Sequence, residues 1–130
     1  MSQTISYQGM AAPHIRAVVV QPDMSYEILE VEQDLVTFKG IVGDYLEAIY
    51  TYCCTIWCNG EGIRLEMPIN RVATYLWWAL QPEMAGRDII RGPVFITGLA
   101  DEAADSLPVR DDVIDLFKRV AQLTKEREQP

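Results

Sequence analysis

Apolar side chains recur along this chain with two spacings, and each change of spacing marks an element. Ile15 to Gln21 carries the β-branched run Val18, Val19, Val20, which predicts a central strand. Pro22-Asp23 reads as a turn. Tyr26 to Val31 sets Tyr26, Ile28 and Leu29 against Glu27 and Glu30, which predicts the second arm of a hairpin with one wetter face. The spacing then becomes helical. Leu35, Phe38, Ile41 and Val42 form one stripe, with Asp34 at the favourable end of the helix dipole and Gly43 as a stop.

Tyr45 to Tyr52 and Cys54 to Asn59 read as strands, or as one long bent strand, because Thr51 to Cys53 lacks strong turn chemistry. Asn59-Gly60-Glu61-Gly62 predicts a hairpin turn into a short strand from Ile63 to Met67, stopped by Pro68. Asn70 suits an N-cap for a second helix with Val72, Tyr75, Leu76 and Ala79 on its stripe, ending near Pro82. Ile89 to Thr97 predicts a strand with a bulge or edge at Gly92-Pro93. The final helix runs from Pro108 to Lys125, with Val113, Leu116, Phe117, Val120 and Leu123 on one face and acids early and bases late. The order β-β-α-β-β-(β)-α-β-α predicts an α+β fold: one small domain, with a mixed sheet packed by helices. By element order alone it fits a ubiquitin-like roll. The domain is expected over residues 14–126, after a flexible lead-in over 1–13 and before a tail over 127–130.

Composition agrees with this picture. The chain has 130 residues, 49% of them hydrophobic and 23% charged, as one globular domain should. It shows neither an apolar run of membrane-spanning length nor the basic, apolar start of a signal peptide. A cytoplasmic location is therefore expected. The net charge of −8 argues against direct binding to nucleic acid and allows a basic partner surface. It also serves simple solubility.

The ordered strings Ile15-Arg16-Ala17-Val18-Val19-Val20-Gln21-Pro22, Val31-Glu32 with Leu35, Val42-Gly43-Asp44-Tyr45-Leu46-Glu47, Cys58-Asn59-Gly60-Glu61-Gly62, Pro68-Ile69-Asn70-Arg71-Val72-Ala73-Thr74 and Asp88-Ile89-Ile90-Arg91-Gly92-Pro93-Val94-Phe95-Ile96-Thr97-Gly98 resemble a small bacterial and phage family, the domain of unknown function numbered 3846. The resemblance covers about residues 15–125. The family commonly has a second glycine after the helix stop, where this chain has Asp44. The resemblance implies a short intracellular protein, often carried by phages and mobile elements, with no assigned reaction. The positions it rests on are mostly Gly, Asn and Pro, types that hold backbone geometry.

Candidate chemistry is sparse. Cys53, Cys54 and Cys58 make a poor disulfide framework, and His14 is the single histidine, so neither a zinc site nor a Cys-His nucleophile is expected. Buried reduced thiols are the reading, with a reactive Cys58 as the alternative. Asp111, Asp112 and Asp115 suit a helix N-terminus, and Asp101, Glu102 and Asp105 suit a solvated loop. The glycine loop at 60–62 lacks the lysine and following helix of a phosphate loop. No cofactor, metal or catalytic residue is expected.

One cluster stands out: Asn70, Arg71, Thr74, Trp77 and Trp78. Neighbouring tryptophans diverge by about 100° on a helix, so one is expected to be partly exposed. A guanidinium beside indoles suits an aromatic or anionic ligand, or a protein hot spot. The alternative is one core tryptophan and an arginine paired with an acid. The leading expectation is a non-enzymatic phage or mobile-element accessory protein that binds a host protein or itself, as a homodimer. The second is a binder of a nucleotide-like small molecule, with Arg71 on a phosphate and a tryptophan on the base. The third is an acidic nucleic-acid mimic.

Overall fold

A computed structural model describes residues 14–103 and 105–128. The lead-in expected over residues 1–13 lies outside the described residues. The sheet comprises β1 (His14–Val20), β2 (Tyr26–Glu32), β3 (Leu46–Tyr50), β4 (Thr55–Asn59) and β5 (Val94–Thr97), in the order β2-β1-β5-β4-β3. Among the described residues three α-helices pack on it: α1 (Leu35–Val42), α2 (Arg71–Leu80) and α3 (Asp111–Glu128). The fold is α+β. α3 runs past the expected boundary at residue 126.

Strand alternation gives the sheet two buried faces. On one, Val18, Val20, Ile56, Cys58, Val94 and Ile96 meet Val72, Ala73, Leu76 and Trp77 of α2 and Val113, Ile114, Phe117 and Ala121 of α3. On the other, Ile15, Ala17, Val31 and Phe95 meet Phe38 and Val42 of α1. Phe38 lies 4.8 Å from Phe95 and 5.3 Å from Trp57, ring centre to ring centre. Trp57 donates its indole N–H to Thr97 Oγ1 at 3.0 Å.

Every strand pair is antiparallel, where a mixed sheet is expected from the sequence. The reason lies between β4 and β5. A lone β4-helix-β5 crossover would leave the strands parallel. Here α2 is followed by a return through a 3-10 turn (Pro82–Met84) and residues 85–93, so β5 enters at the end where β4 left. An antiparallel bridge between Ile69 and Arg91 closes that return.

Three further segments differ from expectation. Residues 60–66 form turns rather than a strand, because successive amides bond locally: Leu65 N–H to Glu61 O and Met67 N–H to Gly62 O, both at 2.9 Å. Thr51 supplies the turn between β3 and β4. Its hydroxyl donates to Cys54 O at 2.8 Å and accepts the Cys54 amide at 3.1 Å, so the two strands are separate. The strand expected from Ile89 starts only at Val94.

Candidate functional site

Asn70 begins α2 as its N-cap, accepting the Ala73 amide at 3.1 Å. Its amide group also donates to Val20 O at 3.1 Å and Gly92 O at 2.9 Å. Both of its N–H groups and its oxygen are therefore used inside the fold. Thr74, one turn later, is buried and clamps the return segment: its hydroxyl accepts the Ile90 amide at 2.9 Å. Trp77 is buried, with its indole N–H on Gln81 Oε1 at 2.7 Å.

The other two residues of the predicted cluster point elsewhere. Arg71 is exposed, with Nε 3.6 Å from Glu128 Oε2 on α3. Trp78 is half-buried, donates to Asp88 O at 2.9 Å and stands 5.6 Å from the Tyr75 ring. Asn70, Thr74 and Trp77 thus share the inner face of α2, and Arg71 and Trp78 lie outside it.

A cavity of about 580 Å³ opens beside Trp77. Ile49, Cys58, Met84 and Ile90 form its apolar wall with Trp77, and Glu47, Glu61 and Asp88 bring carboxylates to it. Of the predicted cluster, Trp77 alone borders it. Register explains how two distant residues meet there: Glu47 of β3 sits directly opposite Cys58 of β4, so both project toward α2. Asp88 arrives on the return from α2, its carboxylate accepting the Ile89 amide at 2.8 Å.

Of the cationic residues at the cavity, Arg64 is ion-paired, and Arg91 is held through one guanidinium nitrogen while its buried Nε finds no partner among the described residues. Arg64 bonds Glu61 at 2.6 Å and lies 5.2 Å from the centre of the Tyr45 ring, while Arg91 donates to Met67 O at 2.9 Å. Glu47 makes no hydrogen bond or ion pair with any described residue. Burial pushes the Cys58 thiol up to about 12, and the charges of Glu47 and Asp88 add to it. Cys58 is therefore held as a neutral thiol rather than a reactive thiolate. Burial likewise raises Cys54 to about 12. Among the described residues, no group of three or more His, Cys, Asp or Glu could hold a metal. No described helix is long and apolar enough to cross a membrane.

The model of the domain of unknown function DUF3846 matches residues 15–122. The chain belongs to this family. No curated protein and no solved structure gives a significant match. The residues that carry the family pattern in this DUF3846 domain hold its framework together. Gly43 takes φ of +106°, and a Cβ there would lie 2.7 Å from Asn59 Nδ2. That same Asn59 nitrogen donates to Val42 O at 3.0 Å, tying the end of α1 to β4, while its oxygen accepts the Glu61 amide at 2.8 Å. Gly92, at φ of +83°, makes room for Met67 Sδ.

The sequence reading does not single out Glu47, Asp88 or the tyrosines around β3. Tyr45, Tyr50 and Tyr52 read there as strand formers, yet they are 50%, 64% and 79% exposed. The signal available was their density in a short segment that also carries few charges.

Proposed function

We propose that this DUF3846 domain is a non-enzymatic accessory protein of a phage or mobile element, acting in the host cytoplasm by binding a protein, either a host component or a second copy of itself. One observation carries the reading: exposed tyrosines flank an edge of β3 that no other described strand pairs with. Tyrosine offers a large contact area with a polar tip at little entropic cost, and is enriched at interfaces. The opposite edge, β2, carries Glu27, Glu30 and Glu32, the kind of charge that blunts strand pairing. β3 carries only Glu47. The polar groups of Asn59, Asn70 and Thr74 are spent on architecture, which is consistent with a role outside catalysis.

Tandem capture from host lysate, comparing the wild type with Tyr50→Ser/Tyr52→Ser, tests the reading. The expected result is one protein, or the chain itself, recovered in near-equal amount and lost with the double variant. A monodisperse monomer that retains nothing under either condition contradicts it.

The cavity gives the small-molecule reading its support, since about 300–1,000 Å³ is typical of ligand sites. A nucleotide held by Arg71 draws no support from it, because Arg71 lies outside the lining and carboxylates lie within it. A rise in melting temperature with a nucleotide would favour that reading over the first.

A further inference from the structure

We infer that the cavity between β3, β4 and α2 receives a cationic side chain, arginine or lysine, from an extended segment of the protein partner, laid along the free edge of β3. This rests on the protein-binding reading and names the chemistry of its partner. Three observations combine. The first is charge. Among the described residues Glu47 has no hydrogen-bond or ion-pair partner and the Asp88 carboxylate bonds only its neighbour's amide, while Arg64 is paired with Glu61 and Arg91 is held by Met67 O, so the carboxylates of Glu47, Glu61 and Asp88 outnumber the two guanidinium groups. At the cavity wall the Cys58 thiol is raised first by burial and then by the charges of Glu47 and Asp88, which lie close enough to act on it. Those two carboxylates attract a cation by the same Coulomb interaction.

The second is shape and polarity. Ile49, Trp77, Met84 and Ile90 give the cavity an apolar wall beneath carboxylates. That matches a long aliphatic stem with a charge at its tip. Trp77 adds an aromatic surface, the best of the side chains for holding a cation.

The third is position. β3 ends the sheet order, so among the described residues one side of its backbone has no strand neighbour. Glu47 projects from β3 on the cavity side, opposite Cys58. A segment added beside β3 would present alternate side chains to that same face. The net charge of −8 favours a basic segment over an acidic one.

The test is a heteronuclear NMR titration of the full chain with three probes: a blocked extended pentapeptide with a central arginine, the same peptide with citrulline, and butylguanidinium. The arginine peptide should shift the amides of Gly60, Gly62 and Ile90 and the Trp77 indole, at least tenfold more tightly than either other probe. Raising the salt concentration should weaken it. Glu47→Gln with Asp88→Asn should weaken it at least tenfold. Equal binding of the citrulline peptide, or no shift at these groups, overturns the inference without any variant having to fold. Butylguanidinium binding as tightly as the peptide also overturns it, and assigns the cavity to a free small cation. In the lysate experiment, a partner retained by the Glu47→Gln/Asp88→Asn variant but lost with Tyr50→Ser/Tyr52→Ser overturns this inference while leaving the protein-binding reading intact.

Discussion

Asn70 joins three segments with one side chain: the start of α2, the end of β1 and the return to β5. Replacing it with alanine removes a cap and two further buried hydrogen bonds, at about 3 kcal/mol in all. Chemical denaturation of Asn70→Ala should show a loss of that order, with the antiparallel core retained in whatever still folds. Its role as a cap was legible, because capping is local. Its bonds to Val20 and Gly92 were not, because they span 50 and 22 positions that only the folded sheet brings together. The thiols make a second residue-level prediction. Cys53 is half-exposed, whereas Cys54 and Cys58 are buried and held neutral at about 12. Alkylation of the native protein near neutral pH, followed by mass spectrometry, should modify Cys53 well before the other two. Because the folded values of Cys54 and Cys58 stand above the ordinary 9.0, their contribution to stability is full below that pH and is lost as pH rises toward 12. Rapid native labelling of Cys58 would contradict this.

Local signals place each described α-helix and most of its inward face, since Phe38 and Val42, Val72 and Leu76, and Val113 and Phe117 are all buried, but they misjudge the margin of that face. The α3 stripe was read to include Leu123, yet Leu123 is 53% exposed, and Ala121 and Thr124 are buried in its place. Thr124 could be read as a surface residue only while its hydroxyl bond to Val120 O was unknown. Leu123→Ser should therefore change stability by less than about 0.5 kcal/mol, and Ala121→Leu should cost about 1–3 kcal/mol by overpacking. Equal effects of the two would contradict the helix placement. α1 carries a pH dependence of its own. The Thr37 amide bonds Asp34 at 2.7 Å and holds its carboxyl below the ordinary value of 3.8. The cap is thus complete above that value and is lost as pH falls through the lowered one. Protection factors of the α1 amides should fall in strong acid, and Asp34→Asn should remove the part of that dependence that comes from the cap. The segment after Asn59 failed for a different reason. Its Asn-Gly signal specifies a turn correctly, but a hairpin also needs a strand for a partner, and the amides of Leu65, Glu66 and Met67 bond the nearby carbonyls of Glu61, Ile63 and Gly62 instead.

Across the whole molecule, α1 covers one face of the sheet and α2 and α3 the other, so binding surface remains at the edges and rims. Element order was readable from the sequence, but strand order was not. With the strand order known, β2 becomes an acidic edge and β3 a tyrosine-flanked one beside a carboxylate-lined cavity. The cluster at α2 drew attention through its tryptophans, whose indoles turn out to bond Gln81 and Asp88 O within the fold. Glu47 drew none, because its significance depends on facing Cys58 across two strands.

Hydrogen exchange of the chain, free and in complex with the captured partner, distinguishes binding at β3 from binding elsewhere. Slowed exchange is expected at Leu46–Tyr50 and at Gly60 and Gly62, with β2 unchanged. Protection confined to β2 or to the outer face of α3 would contradict binding at β3.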